Sequence, residues 1–259
     1  MTAAGAPVAA APASAARRAR VGAPSSAGVP ERVGRLLPVL PALEPLVGPG
    51  GLRRGSSVGV RDSTSLLLAL LAGPSRAGAW CAVAGMPALG LVAAAGAGVD
   101  LDRLALVPEP GPDWSAVAAA LLDAMDVVVV APPTRPGDGE VRRLSARARQ
   151  RGAVLVPFGA VEWPGLDLRL SVTPGARWEG LGDGHGHLRA RRAVVRGEGR
   201  GSAARVREAG IWLPSAEGEV VPAGWPAAAA GGPALAAGGP ALAADGPALA
   251  ADGPALAAD

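Results

Sequence analysis

Four consecutive valines, Val127–Val130, constrain this chain more than any other stretch. In an extended backbone their side chains point alternately to opposite faces, so both faces of that strand must be covered. A central strand of a parallel sheet, with helices packed on either side, meets that demand. The surrounding sequence repeats the pattern. Strand-like runs at Ser56–Val60, Trp80–Ala84, Leu104–Val107 and Ala153–Phe158 alternate with helical stretches over Thr64–Leu71, Ala88–Ala95, Trp114–Ala124 and Glu140–Gln150. This alternation predicts a three-layer α/β fold around a mostly parallel central sheet. After residue 165 the rhythm changes. Leu166–Val172, His187–Val195 and Ala204–Leu213 read as strands joined by Gly-rich turns, which predicts antiparallel additions at the sheet edge.

The ends of the chain do not share this pattern. Residues 1–30 are mostly Ala, Pro, Gly and Ser, and are expected to lack fixed structure. Residues 31–215 form the expected folded domain, and 216–259 a low-complexity disordered tail. That tail repeats Gly-Pro-Ala-Leu-Ala-Ala followed by Gly or Asp, four times from Gly232. A Gly-Pro in every unit and one large apolar residue per repeat exclude a coiled coil. Leu235, Leu242 and Leu249 could instead engage a partner. Between tail and domain, Leu36, Leu37, Leu40, Leu43 and Leu46 have near-helical spacing, but Pro38, Pro41 and Pro45 interrupt it. Short turns packed on the domain are expected there.

Composition removes several chemistries. All 25 basic residues are Arg, so an amine nucleophile or a phosphate-binding lysine is excluded. The lone Cys81 lies in an apolar run and reads as core. No apolar run approaches the ~20 residues of a membrane span. The Ala-rich N-terminus has its Arg17, Arg18 and Arg20 after the apolar part, the wrong order for a secretory leader, so a cytoplasmic location is expected. Charge is uneven: residues 135–208 hold 15 Arg against 8 acids, whereas 209–259 hold five acids and no Arg. A basic middle before an acidic tail suits an anionic partner or self-screening by the tail.

The junction of the first strand and first helix is the position of a phosphate-binding loop in a nucleotide-binding α/β domain. Such a loop needs glycines to curl backbone N–H groups around phosphate, and a lysine. Here the junction is Arg61-Asp62-Ser63-Thr64, with no Gly after Gly59 and a carboxylate where a helix N-terminus would otherwise attract an anion.

The run from Leu52 to Pro132 resembles the RecA-type core. The likeness is carried by Leu52-Arg53-Arg54-Gly55-Ser56, the Ser/Thr-led Leu-rich helix, Gly98-Val99-Asp100-Leu101-Asp102-Arg103-Leu104 and the strand Asp126–Val130. Arg177-Trp178-Glu179-Gly180-Leu181 and the segment from Gly184 to Arg192 are similar to the actinobacterial ImuA-type branch, and together the resemblance covers about residues 30–215. It implies a degenerate RecA-like domain that acts in the SOS response as a DNA-repair accessory for damage-induced mutagenesis. The implied partners in translesion synthesis are an ImuB-type Y-family polymerase homologue and an error-prone C-family polymerase. Three positions of an active RecA-type ATPase are altered. The phosphate loop lacks Gly-Lys, the second strand ends Ala84-Gly85-Met86-Pro87 without a glutamate, and the fourth ends at Ala131 without an aspartate. Hydrolysis needs the charge clamp, the oriented water and the metal together. A non-enzyme without cofactor or metal is therefore expected, and an ATPase or recombinase is the alternative. Losing nucleotide would also disfavour stable filaments.

Other candidates are cationic. Arg143, Arg147 and Arg151 form one stripe of the fourth helix. Arg189 and Arg191 would share a strand face with Arg192 opposite. Guanidinium forks suit phosphate backbones, and Trp163 or Trp178 could stack bases, so residues 177–207 are a candidate single-stranded DNA-binding segment. Asp183, His185 and His187 alternate like metal ligands, but Gly182, Gly184 and Gly186 make that segment a turn, and no metal site is assigned.

Overall fold

The computed structural model describes residues 34–160, 162–181, 186–200 and 205–224. The described residues open with β1 (Leu36–Leu37), a 3-10 turn (Pro41–Leu43), α1 (Glu44–Val47) and β2 (Leu52–Arg53). Then come β3 (Val58–Arg61), α2 (Thr64–Arg76), β4 (Cys81–Ala84), α3 (Leu91–Ala97) and β5 (Leu104–Val107). The alternation continues with α4 (Trp114–Ala124), β6 (Val127–Val130), α5 (Asp138–Arg151) and β7 (Val154–Pro157). Strands alone follow: β8 (Leu168–Val172), β9 (Arg177–Leu181), β10 (Gly186–Gly199), β11 (Arg207–Trp212) and β12 (Val221–Pro222).

Strands β5, β4, β6 and β7 lie side by side in that order, all parallel. Parallel bridges Ser57–Leu155 and Val60–Phe158 attach β3 to β7. Beyond β3 the order runs β8, β10, β11, β12. The fold is α/β with a mostly parallel central sheet extended by antiparallel strands. One expectation is corrected. β8 is not an antiparallel addition but runs parallel to β3, from Val58–Leu168 to Arg61–Ser171. The Asp167 carboxylate fixes this register by accepting from the Ser57 N–H at 2.8 Å. Antiparallel pairing starts one strand later, at β10. Successive lengths of β10 pair with β9 and β8 on one side, while β11 pairs on the other.

The valine run does what its pattern demands. Val127 and Val129 enter one buried cluster with α2, Leu43 and Leu46, while Val128 and Val130 enter a second with α4 and α5. Cys81 and Val83 likewise face the first cluster and Ala82 the second. Helices therefore cover both faces, giving three layers. α2 extends to Arg76, past the expected Leu71, and buries Leu66–Ser75. Gly73 makes this possible, because a Cβ there would overlap the Val39 backbone. α3 starts at Leu91 rather than Ala88, since Met86–Leu89 forms a turn instead.

Folding also runs past residue 215, where the tail was expected to begin. The Ser215 N–H donates to the Glu219 carbonyl, and β12 pairs with β11 through Ile211–Pro222 and Trp212–Val221. The repeats from Gly232, the first 33 residues, Asp183 and His185 lie outside the described residues. His187 is exposed. Among the described residues no helix is long and apolar enough to cross a membrane, and no cluster of His, Cys, Asp or Glu is arranged to hold a metal. Cys81 is fully buried, and desolvation, with a smaller push from Asp126, raises its thiol pKa to about 12, which suits a core residue.

Candidate functional site

The C-terminal ends of the parallel strands are where an α/β sheet of this kind binds ligands. β3 ends at Arg61 and α2 begins at Thr64, so the whole connection is Asp62 and Ser63. A phosphate-binding loop spans some eight residues between strand and helix. Two residues cannot wrap a phosphate. Asp62 takes a left-handed conformation, φ 44°, which aspartate tolerates better than most side chains. Ser63 is buried, and its hydroxyl accepts from the Leu66 N–H at 3.3 Å. That is an ordinary N-cap, which spends one free helix N–H internally. The Asp62 side chain is exposed next to the helix N-terminus, where it opposes the approach of a second anion.

The second altered position is closed by backbone. Gly85, φ 84°, donates its N–H to the Val107 carbonyl at 3.0 Å. A Cβ on Gly85 would overlap the Ala131 carbonyl oxygen. The ends of β4 and β6 thus meet with no space for a side chain between them. Ala131 itself is bonded through its N–H to the Ala84 carbonyl at 2.9 Å. The two strand ends carry no carboxylate and sit against each other.

Where β3 meets β8 the arrangement is different. Arg61 and Arg169 flank Glu162, with nitrogen–oxygen separations of 3.7 and 3.6 Å. These are ion pairs, but too long for hydrogen bonds. Arg61, Arg169, Gly59, Gly159 and Trp163 line one small cavity of about 10 Å³. Trp163 is 2% exposed and packs edge-on against Trp114 at 6.5 Å. It belongs to the core and cannot serve as a base-stacking platform. Its Nε1–H is buried and meets no acceptor. Glu162 and Arg169 escape sequence reasoning because no periodicity relates them to Arg61; only the β3–β8 pairing brings them together.

The other arginines divide into two groups. On α5, Arg147 grips Asp123 of α4 with both Nε, at 2.7 Å, and Nη2, while Arg151 Nε reaches the same carboxylate at 2.9 Å. The Arg147 hydrogen bond leads in lowering the Asp123 pKa, and the same bond raises that of Arg147. This part of the stripe ties two helices together. Arg143 is exposed on an open groove between α4 and α5, about 460 Å³, with Ala116, Ala119 and Leu144 in its walls. On the antiparallel extension, Arg191 stands opposite Trp178 and lies over its ring at 5.8 Å. Trp178 remains 48% exposed. Arg189 is exposed, whereas Arg192 donates to the Ala223 carbonyl at 3.3 Å. The two expected cationic surfaces are therefore separate, on a helix and on a strand pair.

Comparison with known proteins places this chain beside one family and one mycobacterial relative. The MT3502 N-terminal domain family matches residues 45–165. The uncharacterized protein Rv3395c of Mycobacterium tuberculosis is 36% identical over 181 residues, which is 67% of this chain and 84% of that protein. The family match takes in the shortened β3–α2 junction and Trp163, and stops before β8.

Proposed function

The chain belongs to the family of the mycobacterial protein Rv3395c, and we propose that it is a non-catalytic, RecA-like adaptor in damage-induced mutagenesis. The frame holds its surfaces in place for an ImuB-type partner and an error-prone C-family polymerase, and does not turn over nucleotide. One observation carries this reading: the two-residue connection between β3 and α2. Phosphoryl-transfer catalysis rests almost wholly on positioning and charge stabilisation around the phosphates. A connection of that length supplies neither a cradle nor a cation clamp. The closure of Gly85 on Ala131 adds to this, because it leaves no place for a water-activating side chain. The link to mutagenesis and to these partners rests on the ImuA-type resemblance of residues 177–192.

The test is recovery of partners on a tagged full-length chain from DNA-damaged cells of its own host. A Y-family polymerase-like protein should co-purify in near-stoichiometric amounts. Its absence, with the bait folded and abundant, would remove the adaptor reading.

A second reading has its own support. Trp178 is exposed beneath Arg191, and Arg189 is exposed on the same strand as Arg191, which combines a stacking surface with cations. Direct contact with single-stranded DNA would then accompany the adaptor role, and its affinity would fall as salt rises.

A further inference from the structure

We propose that the C-terminal end of β3 and the start of β8 form a site for one phosphate-class oxyanion, gripped by Arg61, Arg169 and the indole N–H of Trp163. This goes beyond the adaptor reading and does not depend on it. The cavity there is lined by all three residues. Their donors exceed the acceptors available. Trp163 is 2% exposed, and its Nε1–H has no partner, an arrangement native interiors rarely leave standing. The two guanidiniums share a single carboxylate, Glu162, at 3.7 and 3.6 Å. Glu162 is itself 59% exposed, so the two guanidiniums have one loosely held anion between them.

The size of the site selects the ligand. A cavity of about 10 Å³ admits a single water-sized atom. One oxygen of the ligand can enter to accept from the indole, while the rest stays outside between the guanidiniums. A tetrahedral phosphate fits that division, because it keeps further oxygens for two Arg forks. A carboxylate has only two oxygens, and the protein's own carboxylate already sits between the arginines without satisfying Trp163. The site is not a remnant of triphosphate binding. It lies toward β8 and involves no helix N-terminus, and the ligand needs no magnesium. The phosphate can be free or part of a nucleic-acid backbone.

The experiment is a titration of the ¹⁵N-labelled full chain, followed through its indole N–H resonances. Six tryptophans give six signals, and Trp163→Phe identifies the relevant one by its disappearance. Inorganic phosphate and, separately, a short thymidine oligonucleotide are added at constant ionic strength, with chloride as the control. The Trp163 signal should move saturably with phosphate. Arg61→Ala and Arg169→Ala should each weaken binding about tenfold, the effect of losing one charge-assisted contact. Glu162→Gln should strengthen it several-fold, because the competing carboxylate is gone; a purely structural Glu162 would not do this. Saturation by phosphate alone assigns the site to a free anion, and saturation by both extends it to backbone phosphates. The proposal is overturned if the Trp163 signal does not move, moves equally with chloride, or saturates unchanged in both arginine variants.

Discussion

The parallel half of the sheet and its antiparallel extension treat their polar groups in opposite ways. In β4, β6 and β7 every residue is buried, and the strand ends close on one another through Gly85 and Ala131. In β9 and β10, exposed Trp178, Leu188 and Arg189 face solvent. The α/β frame usually gives its functional chemistry to the parallel strand ends. Here the ends of β4 and β6 are sealed, and accessible cations lie elsewhere, on Arg61 and Arg169 where β3 meets β8, on Arg143 of α5 and on Arg189 of β10. A fold can thus keep its scaffold while the surface available for binding moves to an appended region.

The sharpest way to break this contrast is to reopen the sealed end. Gly85→Ala places a Cβ in a left-handed position against the Ala131 carbonyl. It should cost about 3 kcal/mol, read as a lower urea midpoint at unchanged slope. A loss below about 0.5 kcal/mol, within the range of neutral surface changes, would mean that the strand ends are not packed as described.

Next comes the extension. Replacing Arg189, Arg191 and Arg192 together with Ala should lower single-stranded DNA affinity tenfold or more in moderate salt. The salt slope should flatten by about 0.7 for each phosphate contact removed. An unchanged affinity and slope would assign these arginines to protein contacts alone. Trp178→Ala in the same assay separates stacking from charge.

The smallest effect belongs to the arginines that are already paired. Asp123→Ala leaves Arg147 and Arg151 without their shared carboxylate and should cost about 1 kcal/mol or less, since all three side chains are partly solvated. The pH dependence has a fixed sign. The folded Asp123 pKa lies below its ordinary value, so its contribution is present above about pH 4 and is lost as pH falls through the depressed folded value. The variant should show a shallower acid-side loss of stability in urea melts, and an identical profile would show that the pair contributes nothing.

The parallel half could be read from sequence because buried strands flanked by amphipathic helices leave a strong pattern. Val127–Val130 and Trp114–Ala124 fall where that pattern puts them. The extension left weaker signals. β9, Arg-Trp-Glu-Gly-Leu, has no apolar alternation, and β12 is two residues long. β8 reads correctly as a strand, but its direction depends on Asp167 finding Ser57, a contact 110 residues apart in sequence. Ser63 and the missing glycines were visible in the sequence. The cluster of Glu162, Arg169 and Trp163 was not, because only strand pairing assembles it.

The most direct measurement is calorimetric titration of the full chain with ATP, with and without magnesium. A sealed nucleotide site should give no magnesium-dependent heat up to millimolar ATP, leaving at most weak, magnesium-independent anion binding that Arg169→Ala weakens about tenfold. Micromolar binding that requires magnesium would contradict the account, because it would mean that Asp62 and Ser63 still hold a triphosphate.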